Sequence, residues 1–131
     1  MRPLATTILQ ATGAILAFDA VGSLAARFIG FDYANLSPGS FLIYGAAGAL
    51  AGWRGPLWYG PVVGGVVAAM EAGLGWPLSA LLGPPEIALT YASAPLSARI
   101  GMVVMLGVLG AVLGTVGAVV GVWLRKRRAA A

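Results

Sequence analysis

The chain has 131 residues, of which 60% are hydrophobic and 9% are charged, with a mean hydropathy of +0.91. Water-soluble domains are nearer about 45–50% apolar and about 25% charged, and disordered chains are poor in apolar residues, so both classes are excluded. Because the chain has no Cys and no His, disulfides, His-based metal sites and His-dependent nucleophilic catalysis are excluded as well.

A helix needs ~20 residues to cross a bilayer, and the sequence has four apolar segments that exceed or approach this length. They predict helices at about residues 4–29, 38–53, 58–82 and 97–124. We expect the first segment to be a retained span and not a cleaved signal peptide, because it is too long and Asp19 interrupts it. Ser40 is a predicted N-cap of the second helix, and Pro77 predicts a kink in the third. Residues 83–95 are predicted to form a loop.

These segments predict an all-α protein, a transmembrane four-helix bundle that forms a single integral membrane domain over residues 1–131. The two halves of the chain also follow a similar order. Asp19 precedes Gly30 by 11 residues, and Glu71 precedes Gly83 by 12. Two alternatives remain open: the chain is a duplicated helical hairpin, or two glycine-rich hairpins resemble each other by composition alone.

Basic residues are distributed unequally between the two ends of the predicted helices. Four spans place both termini on one side, together with six of the eight basic residues: Arg2, Arg54, Arg125, Lys126, Arg127 and Arg128. Because cytoplasmic loops carry the excess of Lys and Arg, we predict a multi-pass protein of the bacterial inner membrane with both termini in the cytoplasm. The basic run 125–128 is a predicted membrane anchor beside anionic lipid headgroups. The sequence indicates no surface that combines aromatic and basic residues, so a nucleic-acid partner is not predicted.

Two carboxylates lie within the predicted spans. A charge at the bilayer centre costs ~2.5–3.5 kcal/mol, so Asp19 and Glu71 are expected to face the interior of the helix bundle at similar depth. Asp19 shares a polar helix face with Thr12, Ser23 and Arg27, which makes Arg27 a third candidate intramembrane ionisable residue. Two close carboxylates cannot both ionise cheaply, and we expect Glu71 to keep its proton at pH 7. The pair is either a proton or cation site, or a structural lock in which Arg27 assists Asp19.

The chain also contains 20 glycines, and small residues on membrane helices let two backbones approach closely. In the fourth helix, glycines spaced three and four residues apart form one stripe: Gly107, Gly110, Gly114, Gly117 and Gly121. The third helix carries Gly60 and Gly64, which an α-helical period places on the same face as Gly75 and Ser79. The five glycines of the stripe, together with Gly60 and Gly64, are the predicted helix-packing residues. The stripe either packs inside the chain or forms a contact between copies.

A resemblance to small four-helix membrane proteins of bacteria is carried by two stretches of the chain. These are FDAVGSLAARFIGFDYANLSPGSFLIYGAAGALAGW at residues 18–53 and EAGLGWPLSALLGP at residues 71–84. The proteins that it resembles have no assigned function. The resemblance therefore implies a helical bundle and no particular activity.

No residue pattern predicts catalysis. No glycine-rich loop precedes a Lys-Ser or Lys-Thr pair, the four acids are scattered, and neither a metal nor a cofactor is predicted. We therefore expect a non-enzymatic packing or accessory protein, which associates through glycine-rich helix faces with copies of itself or with a larger membrane partner. The alternative is a proton- or cation-coupled small transporter or channel that works as an oligomer, with Asp19 and Glu71 as its ionisable site.

Overall fold

The computed structural model describes residues 2–130, which are helical with short connections and form no strand. The prediction of an all-α protein is confirmed over these residues. The elements in chain order are α1 (Arg2–Ile29), a 3₁₀ turn (Tyr33–Leu36), α2 (Ser37–Arg54), α3 (Tyr59–Met70), a π-helical turn (Glu71–Gly75), α4 (Trp76–Leu82), α5 (Pro85–Ser93) and α6 (Leu96–Ala130).

Three helical segments are long and apolar enough to cross a membrane. They are Pro3–Ile29 in α1, Tyr59–Leu82 from α3 through α4, and Leu96–Ala130 in α6. The predicted second span corresponds to α2, which has only 18 residues and ends in Arg54. α2 packs against α1, α3 and α6, so neighbouring helices cover much of its surface.

Two boundaries differ from the sequence predictions. The predicted loop at residues 83–95 contains α5, which begins at Pro85, since proline is well suited to the first turn of a helix. Glu86 in that turn also interacts favourably with the helix dipole. The predicted fourth helix continues from Leu124 to Ala130, because Arg and Lys are good helix formers and stabilise a helix C-terminus.

Helices α2 and α3 pack against each other at the centre of the protein. α6 packs along both of them, and α1 packs against α2, α3, the π-helical turn and α4. The fully buried side chains of the core include Ile15 from α1, Tyr44 from α2, and Val63 and Val67 from α3. Large apolar side chains on the outside of α6 are exposed, as expected for a helix that borders lipid: Val104, Val108, Val112 and Val116.

The glycine stripe of α6 packs inside the chain. A Cβ atom added to Gly114 would overlap the carbonyl oxygen of Gly60 and would lie 2.9 Å from the Cα atom of Gly64, both on α3. A Cβ atom on Gly117 would overlap the Gly45 carbonyl of α2 and lie 2.9 Å from the backbone nitrogen of Ala49. Gly110 and Gly121 make equally close approaches, whereas a Cβ atom on Gly107 would be 3.7 Å from its nearest neighbours. Only glycine allows these backbones to meet.

Most basic side chains gather at one end of the helices. The Arg54 guanidinium donates hydrogen bonds to Thr7 and Gln10 near the start of α1, and Arg125 donates to the backbone carbonyl of Gly55. Arg127 and Arg128 lie over the rings of Trp123 and Trp53 respectively. Arg99, which is about 39 Å from Arg125 along α6 by helix rise, donates to the Tyr91 and Ala94 carbonyls near the other end.

Candidate functional site

Glu71 is the first residue of the π-helical turn and accepts hydrogen bonds from two side chains of α2. Ser40 Oγ donates to Oε1 at 2.8 Å, and the Tyr44 hydroxyl donates to Oε2. Ser40 and Tyr44 are four residues apart, so they lie on the same face of α2. Both are buried, and Tyr44 is only 1% exposed. Each carboxylate oxygen of Glu71 therefore has one hydroxyl donor.

Asp19 of α1 is 2% exposed, and its Oδ2 atom has no hydrogen-bond partner among the described residues. A buried carboxylate oxygen without a donor is costly, because the charged form loses its hydration without replacement. Gly75, the last residue of the π-helical turn, lies directly against this oxygen, and a Cβ atom there would overlap it. Glycine at position 75 thus makes the close approach of α1 possible.

Gly75 also lies close to the side chains of both acids. A Cβ atom at Gly75 would lie 3.3 Å from Asp19 Cγ, the carboxylate carbon, and 3.2 Å from Glu71 Cγ, the methylene carbon next to the Glu71 carboxylate. Both acidic side chains therefore approach the same glycine. At a separation of about 8 Å and an effective dielectric constant of about 20, two full negative charges would repel by about 2 kcal/mol.

The π-helical turn gives Glu71 and Gly75 their positions. The Trp76 backbone N–H donates to the carbonyl of Glu71, five residues earlier, and Pro77 follows with no N–H to donate. A widened turn thus lies just before Pro77, where the sequence predicts a kink. Such a turn contains an extra residue, so it rotates the residues after it relative to those before it.

This rotation corrects the expected helix face around Glu71. Gly60 and Gly64 lie before the turn and pack against α6. Gly75 and Ser79 lie after it, where Gly75 packs against Asp19 and a Cβ atom on the nearby Gly83 would be 3.6 Å from Ser23 of α1. The segment from α3 through α4 therefore packs against α6 before the π-helical turn and against α1 after it.

Both carboxylates line one cleft, which has a volume of about 350 Å³. Asp19 of α1 and Glu71 line it together with Tyr33 and Ser37. The other lining side chains are apolar: Ala72, Trp76, Met102, Met105 and Leu106. The cleft therefore combines two acids with aromatic and thioether groups.

Tyr33, in the 3₁₀ turn between α1 and α2, joins the cleft to α4. Its hydroxyl is 2.7 Å from Ser79 Oγ, and Ser79 is completely buried. Burial raises the pKa of the Tyr33 hydroxyl above its ordinary value, while the hydrogen bond with Ser79 lowers it in part. Tyr33 consequently remains a neutral hydrogen-bonding group at physiological pH.

Arg27 is not the partner of Asp19. Arg27 is exposed, and its guanidinium lies 5.9 Å from the ring centroid of Phe28, near the end of α1. Thr12 and Ser23, expected on the same face as Asp19, do have buried hydroxyls, and neither hydroxyl has a hydrogen-bond partner in the described chain. The predicted polar stripe therefore points inward from Thr12 to Ser23 and does not include Arg27.

Sequence reasoning missed the side chains that hydrogen-bond to Glu71. Ser40 was predicted as an N-cap, but α2 begins at Ser37 and Ser40 lies inside the helix. The i, i+4 spacing of Ser40 and Tyr44 in an apolar segment could have indicated a polar face. The pairing of that face with Glu71 depends on a contact between helices, which no local pattern reveals.

Gly75→Ala is expected to destabilise the protein by about 2 kcal/mol, within the range for overpacking, because its methyl group would enter the space between Asp19 and Glu71. Gly73→Ala is the matched control, since it lies in the same turn and its Cβ atom would meet nothing within 4 Å. Denaturant unfolding in detergent measures both variants. Equal free energies of unfolding for the two variants would contradict the close contact at Gly75.

No protein-family model, no curated protein and no solved structure matches this chain. The features that bear on its function are the two carboxylates, the hydroxyls around Glu71 and the cleft that Asp19 and Glu71 share.

Proposed function

We propose that the chain crosses the bacterial inner membrane four times and has both termini in the cytoplasm. Three segments with the length and hydropathy of spans support this arrangement, and α2 would be the fourth span, covered by α1, α3 and α6. The basic side chains support the orientation. Arg54 and the run 125–128 gather at one end, which would face the cytoplasm, and Arg99 lies toward the other.

Within that membrane, we propose a proton- or cation-coupled small transporter that works as an oligomer. The observation that carries the proposal is the buried carboxylate of Asp19, which has an unpartnered oxygen and lines a cleft shared with Glu71. A purely structural lock is expected to satisfy its buried acceptors, because each unsatisfied one destabilises the fold. A buried carboxylate oxygen without a hydrogen-bond donor is expected at a site where a proton or a cation binds and is released.

The two carboxylates would have different protonation states. Ser40 and Tyr44 donate to Glu71 and so stabilise its ionised form, whereas Asp19 Oδ2 has no donor. With the repulsion between two charges, this arrangement favours one negative charge and one proton in the resting pair, the proton on Asp19. The hydrogen bonds thus favour a proton on Asp19, whereas the sequence predicts a proton on Glu71. A cation that enters would replace the proton and leave the net charge of the site unchanged.

The packing or accessory role is less well supported by the geometry. That role requires glycine-rich faces that are free to bind a partner. The stripe glycines of α6 instead contact α2 and α3 of the same chain, and Gly60 and Gly64 of α3 contact α6. The outer surface of α6 is apolar and rich in valine, and such a surface suits lipid as well as protein.

Proton movement into vesicles tests the proposal. Purified protein is reconstituted into liposomes that contain a pH-sensitive dye, and gradients of sodium, potassium, guanidinium or benzylguanidinium are imposed in turn. We expect at least one gradient to drive proton movement, and Asp19→Asn and Glu71→Gln to reduce it to the level of protein-free liposomes. Glu86→Gln removes the same charge at an exposed residue of α5 and should have no effect. The proposal would be contradicted if no cation gradient drove proton movement, or if proton movement were equal in all variants.

A further inference from the structure

The lining of the cleft indicates which cations it suits. Asp19 and Glu71 supply negative charge, and Trp76 supplies an aromatic surface, which attracts cations through its ring electrons. Met102 and Met105 add polarizable thioethers that adapt to irregular apolar shapes. An acid beside an aromatic and apolar wall favours a ligand with a positive charge at one end and an apolar group at the other.

The hydrogen bonds of the acids add a second requirement. Both oxygens of Glu71 already accept hydrogen bonds, but Asp19 Oδ2 accepts none. A cation that bears an N–H group could donate to the Asp19 carboxylate, which lines the cleft, once it replaces the proton, and a charge-assisted hydrogen bond of this kind is among the strong ones. A quaternary ammonium ion could not donate.

An inorganic cation fits the same residues poorly. The described residues contain no group of three or more His, Cys, Asp or Glu side chains that could hold a metal ion. Hard cations such as Ca²⁺ and Mg²⁺ need about six oxygen ligands, whereas the hydroxyls of Ser40 and Tyr44 are already engaged with Glu71. The residues that line the cleft are thus better suited to an organic cation, whose charge is partly stabilised by contacts with the Trp76 ring and the methionine thioethers.

The size and the position of the cleft agree with an organic ligand. Its volume of about 350 Å³ lies within the range of small-molecule sites, which begins near about 300 Å³. Met105 on its rim is 60% exposed on a surface that borders lipid in the proposed arrangement. An amphipathic cation concentrates in a bilayer and could enter the cleft from the side.

We propose that the ligand of this cleft is an amphipathic organic cation with at least one N–H group, bound between the Asp19–Glu71 pair and Trp76. This inference rests on the proposed function, because it names the cation that the carboxylate pair exchanges. One cation enters as one proton leaves the pair for solvent, so charge is conserved. The other titratable groups around the pair are the hydroxyls of Tyr33 and Tyr44, which remain neutral hydrogen-bonding groups throughout.

Binding of benzylguanidinium to the purified protein in detergent tests the inference. This probe carries a permanent positive charge, N–H donors and an apolar ring. We expect it to bind at least about tenfold more tightly than guanidinium, benzyl alcohol or benzyltrimethylammonium, which lack the ring, the charge and the N–H groups respectively. A weakly buffered solution should acidify as benzylguanidinium binds, with about one proton released per chain. This measurement on the unmodified protein needs no variant to fold.

Variants then locate the site. Asp19→Asn should weaken binding of benzylguanidinium about tenfold or more and abolish proton release, and Trp76→Leu should weaken binding without abolishing proton release. Glu86→Gln should change neither. Equal binding of benzyl alcohol, or of benzyltrimethylammonium, would overturn the inference, since the charge or the N–H group would then be unnecessary.

The outcomes separate this inference from the proposed function. If sodium or potassium drives carboxylate-dependent proton movement while benzylguanidinium binds no better than guanidinium, the ligand class is wrong and the transporter stands. If benzylguanidinium binds and releases a proton but no gradient moves protons across the liposomes, the ligand class stands and transport is wrong.

Discussion

Gly114→Leu is expected to prevent α6 from docking against α2 and α3, and to lower the free energy of unfolding by at least about 3 kcal/mol. The side chain at this position would overlap the backbone of α3 at Gly60 and Gly64, and the backbone of Gly114 lies so close to Gly48 of α2 that a Cβ atom added there would overlap it. Backbone atoms within helices cannot move aside as a flexible side chain can. The change therefore separates the helices. Thermal and denaturant unfolding in detergent, together with migration on size-exclusion chromatography, measures the effect.

The matched control is Gly101→Leu in the same helix. Gly101 is exposed, and a Cβ atom there would meet nothing within 4 Å, so leucine should be tolerated or slightly stabilising, because leucine is the better helix former. The contrast separates packing from the intrinsic preference of the residue for a helix. Equal stability of Gly114→Leu, Gly101→Leu and the unmodified protein would show that the stripe does not pack as described. Loss of only an oligomer, with an unchanged monomer, would assign the stripe to contacts between copies.

Asp19→Asn is expected to remove the protonated-carboxyl band of the buried pair from the infrared spectrum at pH 7, whereas Glu71→Gln should leave that band in place. Ser40 and Tyr44 both donate to Glu71 and stabilise its ionised form, while Asp19 Oδ2 has no donor and is 2% exposed. A proton on Asp19 avoids both a buried charge without a donor and repulsion between neighbouring carboxylates. Infrared difference spectra of the variants against the unmodified protein report the assignment.

Two further variants make the infrared assignment specific. Tyr44→Phe removes one donor to Glu71 and should shift the ionised-carboxylate band of Glu71 without changing the Asp19 signal. Glu86→Gln should alter only the signal of an exposed carboxylate. A protonated band that disappears in Glu71→Gln and persists in Asp19→Asn would restore the sequence-based expectation for Glu71. It would also show that the hydroxyl donors do not decide where the proton resides.

The sequence predicted the helices well because apolar length and composition are local properties. Pro85 and the basic run 125–128 illustrate where it fell short. The sequence predicts a loop at Pro85, which instead begins α5. It predicts that the fourth helix ends before the basic run, but α6 continues through it. Proline near the start of a helix and Arg or Lys near its end are each compatible with a helix, so these boundaries were ambiguous from residue type alone.

The candidate site was predictable only in its acids. Asp19 and Glu71 stand out because charges are rare in apolar segments. Tyr44, by contrast, looks like an ordinary interfacial aromatic in the sequence and becomes a donor to Glu71 only when α2 and α3 pack together. Arg27 shows the reverse case, since helical periodicity placed it beside Asp19 while its side chain is exposed and lies over Phe28.

The sequence by itself determined an all-helical, strongly apolar protein with two acids in its helices, because hydropathy and helical period are set by neighbouring residues. Only the tertiary structure decided that the glycines of α6 pack inside the chain, that a π-helical turn at residues 71–75 rotates the helix, and that Asp19 and Glu71 share one cleft. Each of these depends on contacts between residues far apart in the chain. A one-residue change in helical phase redirects every side chain that follows, so local patterns could not specify them.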